Sequence, residues 1–372
     1  MDYIDDTTTR SDKKEFIIDW NETDDWVSKL ITEEMLNLDI DQKKFDELVG
    51  KLPDIIPGFI SKSSNIVLHK IKSRAQEGLK KNAEIRKEYE LKIYDFWKGP
   101  LDLLELYVGI AYEIGDRFNR IYRRSATENN DYTSEALTRL HARGCLIANE
   151  ILVLLKSGYA DGADARWRTL HEIAVASLFI SKHGNETAER YLLYSHIESY
   201  KAANQHRSCY NGAGEEPVSD ERLVQLKRTY DRLCERFGKN FKEPYGWALK
   251  ALGTNGTNFG IIERSVELSH LRPYYKLASY NVHADPKGIM FKHAHGCLGN
   301  KILLAGPSYF GLADAGHSTS ISLLQITFAL LSIKPSLEGN LSLEIMAIMV
   351  TEIGEAFLAV HDSLEDRHEK ST

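Results

Sequence analysis

Arg166-Trp167-Arg168-Thr169-Leu170-His171-Glu172-Ile173-Ala174-Val175-Ala176-Ser177-Leu178-Phe179-Ile180 is the stretch on which the fold turns. From Ile173 onward it is apolar on nearly every face, which is the pattern of a central, buried helix. Its head instead carries two guanidiniums, an imidazole and a carboxylate, and such a head is costly to bury unless its charges are paired. Arg168 and Glu172 are four apart and His171 is three from Arg168, so these three share one helical face. One outcome of that spacing is a buried ion pair that fixes helix register. The other is a polar site in which His171 exchanges a proton and an arginine stabilises developing phosphate charge.

Outward from this helix, most of the chain has helical periodicity. Leu101, Leu104, Val108, Ala111, Ile114, Phe118 and Ile121 form one stripe. Further helices are expected over about 134–156, 161–181, 186–205, 219–237, 318–333 and 341–361, with Gly158 and Gly184 as stops and Asp161 as an N-cap. No strand alternation persists, although 287–305 has room for a short hairpin. The expected fold is therefore all-α, a multi-helix bundle over 96–372 preceded by a polar, helical accessory region over 1–95. Within that region a proline-containing break is expected at Leu52–Gly58. The stretch 63–94 then reads as a long exposed helix of cationic tendency, a solvated arm or a surface for nucleic acid or a protein partner.

The net charge of −7 over 372 residues argues against wholesale coating of nucleic acid but leaves room for a local basic patch. Cys145, Cys209, Cys234 and Cys297 are widely spaced without a CxxC pair, as in a reducing compartment. The acidic N-terminus lacks the features of a signal peptide, and no apolar run reaches membrane-spanning length, so a cytoplasmic protein with no membrane partner is expected.

Arg166 and His171 also have the Arg-x4-His spacing, and on this the sequence resembles the HEPN superfamily of helical domains. That resemblance implies a homodimeric, metal-independent endoribonuclease of bacterial stress or antiphage defence, a toxin in some systems, in which Arg and His drive 2′-hydroxyl attack on the adjacent phosphodiester. RNA would then be the partner, and no cofactor is called for. On a straight helix the two side chains lie about 140° apart, so a bend or a second subunit must bring them together. A wider resemblance, carried by Leu155–Glu172, Asn281-Val282-His283-Ala284, Gly306-Pro307-Ser308 and Gly311-Leu312, is to an uncharacterised bacterial helical family, domain of unknown function 5677. There the recurrent pair resembles Arg168 and Glu172.

The candidate catalytic residues are thus Arg166, Arg168, His171, Glu172 and His283. The last is a loop-like histidine before Asp285-Pro286, placed to meet the Arg168–Glu172 face or to brace its loop. His293, His295 and Cys297 alternate in an extended pattern but lack a paired-ligand signature, so no metal is assigned. The glycine-rich Gly253–Gly260 has no Lys-Ser/Thr and reads as a connection. Against the ribonuclease stands a non-catalytic helical sensor or scaffold, binding a partner protein or nucleic acid through its N-terminal region.

Overall fold

A computed structural model describes residues 42–210, 212, 214, 216–283, 286–290 and 305–369. Eleven α-helices and no strand are present among them: α1 (Gln42–Glu128), α2 (Tyr132–Lys156), α3 (Ala160–His183), α4 (Asn185–Cys209), α5 (Asp220–Phe237), α6 (Leu249–Leu252), α7 (Phe259–Ser265), α8 (Arg272–Tyr280), α9 (Pro286–Met290), α10 (Leu312–Ser332) and α11 (Leu337–Glu369). The all-α bundle expected from periodicity is the observed architecture. The chain divides into two units, Met1–Leu91 and Lys92–Thr372. Most of the stretch expected to hold a hairpin lies outside the described residues, and Pro286–Met290 is helical.

The long first helix departs from expectation. No break occurs at Leu52–Gly58 or before Leu101: α1 continues through Pro53, Pro57 and Pro100. Each proline removes one helical hydrogen bond, which disfavours its position without forbidding it. Around Pro100 the compensation is tertiary, because Trp97, Leu101 and Leu104 are wholly buried and the Trp97 indole N–H donates to Tyr309 O at 3.0 Å. Trp97 also meets Phe357 of α11, with ring centroids 5.7 Å apart.

In the second unit, α3 lies against α2 and α10, and α11 covers α10. Local chemistry sets the helix ends. Asp131 caps α2 by accepting from Ser134 N, and Ser219 caps α5 by accepting from Arg222 N. The expected cap Asp161 instead sits inside the first turn of α3, whose N-cap is Tyr159 without a side-chain bond. Gly158 ends α2 for two reasons. Its φ of +76° is left-handed, and a Cβ there would lie 2.4 Å from Ile93 Cδ1 and 2.8 Å from Ser308 O.

Between α1, α2 and α10 the buried His141 fills the space left by Gly115, where a Cβ would lie 2.4 Å from the imidazole Nδ1. Thr327 Oγ1 donates to Leu323 O, so at 3.1 Å it accepts from His141 Nε2–H. The other ring nitrogen, Nδ1, then takes the Cys145 thiol at 3.7 Å. The neutral imidazole is satisfied on both sides, and burial lowers its pKa to about 4 while raising that of the Cys145 thiol to about 12. Because the unfolded chain protonates this histidine first, its contribution to stability is complete above pH 6.5 and is lost as pH falls towards 4. The loss amounts to roughly 3 kcal/mol. Urea denaturation should show about 2 kcal/mol of this loss between pH 7 and 5, and His141→Gln should remove one proton's worth of the slope; an unchanged slope in that variant would contradict the assignment.

Candidate functional site

The head of α3 sends its polar groups to separate partners. Arg166 turns to α2, where its Nε pairs with Glu150. Trp167 points inward, and its Nε1–H is shared between Ser318 O and Ser322 Oγ of α10, each at 3.0 Å. Arg168 Nη2 donates to Tyr275 Oη of α8 at 2.7 Å and lies 3.2 Å from Glu172 Oε1. Tyr275 O–H donates in turn to Glu172 Oε1 at 2.6 Å, closing a three-membered ring of charge-assisted hydrogen bonds. The guanidinium also stacks on the Tyr275 ring, 4.8 Å from its centroid. Burial first, and then Glu172, push the Tyr275 phenol well above its ordinary pKa, so it remains a donor.

His171 belongs to a different cluster. Its Nε2 lies 2.8 Å from Glu263 Oε1 of α7, and Arg272 Nε of α8 lies 2.7 Å from Glu263 Oε2. The His171 and Glu263 side chains are 0% and 1% exposed, against 26% for Arg168 and 38% for Glu172. Trp167, Phe259 and Tyr275 surround the imidazole with ring centroids 5.6, 6.0 and 5.7 Å away. Burial lowers the His171 pKa and outweighs the opposing pull of Glu263. The ring is therefore neutral near pH 7 and donates Nε2–H to the Glu263 carboxyl group, which Arg272 pairs on its other oxygen. Arg272 finds room because residue 260 is glycine: a Cβ there would lie 2.3 Å from a guanidinium nitrogen.

The structure thus brings Arg168 and Glu172 together, as the i, i+4 spacing implies, but takes His171 away from them into the core. Arg166 and His171 do not converge, since they are held by Glu150 and Glu263. His283 is exposed in the turn after α8, and among the described residues no hydrogen bond or ion pair joins its side chain to Arg168 or Glu172. The α8–α9 segment instead reaches α3 through Asn281 Nδ2, which donates to Asp164 Oδ2 at 3.3 Å. His293, His295 and Cys297 lie outside the described residues, and no cluster suited to a metal occurs among those described. Sequence reasoning missed Glu263, Arg272 and Tyr275. The available signal was Glu263 itself, a lone carboxylate directly after Ile261-Ile262 on a short helix.

Residues 134–301 match the family model described as a family of unknown function, DUF5677, so the wider family resemblance holds over that stretch, which contains both clusters and carries no activity with it. No curated protein and no solved structure matches the chain. No helix among the described residues is long and apolar enough to cross a membrane.

The two clusters should differ sharply in energetic weight. Glu263→Gln leaves Arg272 facing a neutral amide beside the buried imidazole and should destabilise the fold by about 3–5 kcal/mol. Arg168→Ala removes a half-exposed pair and should cost about 1 kcal/mol or a little more. Urea denaturation measures both, and equal losses would show that the clusters had been ranked wrongly.

Proposed function

We propose that the protein is a non-catalytic helical scaffold that binds nucleic acid through the cationic stretch of its first unit. The observation that carries this choice is the burial of His171 against Glu263. A general base must reach the proton it removes. An imidazole 0% exposed, ringed by three aromatic side chains, is placed to hold α3, α7 and α8 in register. The ribonuclease expectation also asks Arg166 and His171 to act on one phosphodiester, and each has its own carboxylate elsewhere.

The binding surface is supported by the charge pattern of α1 within the first unit. Lys72, Lys80, Arg86 and Lys87 are exposed. At 100° per residue they fall within about 120° of one another, on a face that extends for about 22 Å along the helix. Glu77, Glu84 and Glu88 fall outside that sector, and Glu90 within it lies at the C-terminal end of the face, beyond Lys87. Exposed Leu79 shares it, so the surface combines phosphate-directed cations with apolar area.

Two measurements test the proposal. Purified protein in EDTA should leave varied RNAs intact, with His171→Ala changing stability alone; cleavage by the wild type that vanishes in a folded His171→Ala would overturn it. In gel-shift titration, Lys72→Glu with Lys80→Glu, Arg86→Glu and Lys87→Glu should weaken RNA binding about tenfold or more and flatten its salt dependence. Retained binding in that variant, or no binding by the wild type, would exclude this surface as the nucleic-acid site.

A further inference from the structure

Arg190 of α4 is buried, with 4% exposure, yet no carboxylate lies within ion-pairing distance of it among the described residues. Its Nε donates to Trp247 O and its Nη2 to Gly246 O, both at 3.2 Å. The guanidinium lies 4.8 Å from the Phe237 ring centroid and 5.0 Å from that of Phe241. A guanidinium has five N–H donors, and these two carbonyls use only two of them. The nearby carboxylate that could have neutralised it, Glu186 one turn earlier, is engaged by Lys250 at 2.5 Å. A buried cation left to carbonyl dipoles and ring faces retains capacity for an anion.

Arg190 lines an open hollow with Phe237, Lys239, Asn240, Thr254 and Asn255. Lys239 and Thr254 are exposed at its rim, and neither the ammonium nor the hydroxyl makes a hydrogen bond among the described residues. Asn240 Nδ2 reaches Asn255 O at 3.5 Å and joins the two rims. Gly253, at φ +64°, turns the chain after α6 so that Thr254 and Asn255 reach the hollow. The glycine-rich segment, without the features of a nucleotide-binding loop, thereby acquires a role in this unit.

We infer that this hollow binds a phosphate group, free or at the end of a small molecule, with Arg190 at its floor, Lys239 and the Thr254 hydroxyl at its rim, and Phe237 as an apolar wall. The planar fork of arginine matches two phosphate oxygens, a lysine adds point charge, and a hydroxyl supplies a further donor. This site is separate from the α3 head and from the cationic face of α1, and does not depend on the nucleic-acid proposal.

Isothermal titration calorimetry on the full chain, in chloride buffer, tests it with inorganic phosphate and a nucleoside monophosphate as probes. One saturable site per chain is expected for at least one of them. Binding of both identifies the phosphate as sufficient, and binding of the monophosphate alone assigns the ligand to the phosphate-ester class. Lys239→Ala, an exposed substitution, should weaken binding several-fold. Arg190→Lys, which keeps the charge but loses the fork, should weaken it at least tenfold, with melting curves reporting whether the variant folds. Lys227→Ala, at an exposed residue of α5 that pairs with Asp231 and does not line the hollow, should bind as the wild type does. No saturable binding of either probe, or binding undiminished in Lys239→Ala, would overturn the inference and leave Arg190 as a brace between α4 and the 246–247 turn.

Discussion

A glutamate carboxyl group buried to 1% exposure makes demands that several parts of the second unit must meet at once. Glu263 needs a cation, and Arg272 supplies it from α8; it needs a further donor, and His171 supplies it from α3. Arg272 in turn needs space, which Gly260 provides, and it lies 5.3 and 5.4 Å from the ring centroids of Phe259 and Tyr275. Tyr275 then hands its hydroxyl to Glu172 and accepts from Arg168 at the surface. Two short helices that could not stand alone are thereby fixed to a long one. A cluster of this kind selects one arrangement more than it adds stability, because apolar replacements of a buried ion pair are often as stable.

The limits of sequence reading follow from the range of each interaction. The stops of α2 and α3 were legible because their determinants are local: positive-φ glycines at 158 and 184 announce themselves within a few residues, whereas the start of α3, capped by Tyr159 and not Asp161, was not. The i, i+4 pair Arg168–Glu172 was legible for the same reason. The partners of His171 were not, since Glu263 lies 92 positions away and only packing decides which carboxylate meets the imidazole. The continuity of α1 was hidden by the opposite error. Prolines carry a strong local penalty, and at Pro100 the burial of Trp97, Leu101 and Leu104 outweighs it.

The run from 166 to 172 illustrates how dense chemistry in sequence is divided among separate neighbours in the fold. Successive side chains on a helix point about 100° apart, so a continuous polar run is distributed around the axis. Arg166 takes one edge, Trp167 and His171 the inward side, and Arg168 with Glu172 the other edge. Each direction meets a different neighbour: α2, α10 with α7, and α8. These side chains diverge, and each is held by a partner on a different element.

Three arginines of this unit show how the solution chosen for a cation determines what remains available. Arg272 is balanced by a carboxylate in the core and Arg168 by a carboxylate and a phenol at the surface, so each is already neutralised by partners within the chain. Arg190 is held by two carbonyls and two ring faces, which position the guanidinium without cancelling its charge. Dipoles and quadrupoles fall off faster with distance than a net charge does, so the field of Arg190 extends into the hollow that it lines. Burial that fixes a cation while leaving its charge uncancelled preorganises it for an anion, and in this unit that combination occurs at Arg190 and not at the α3 head.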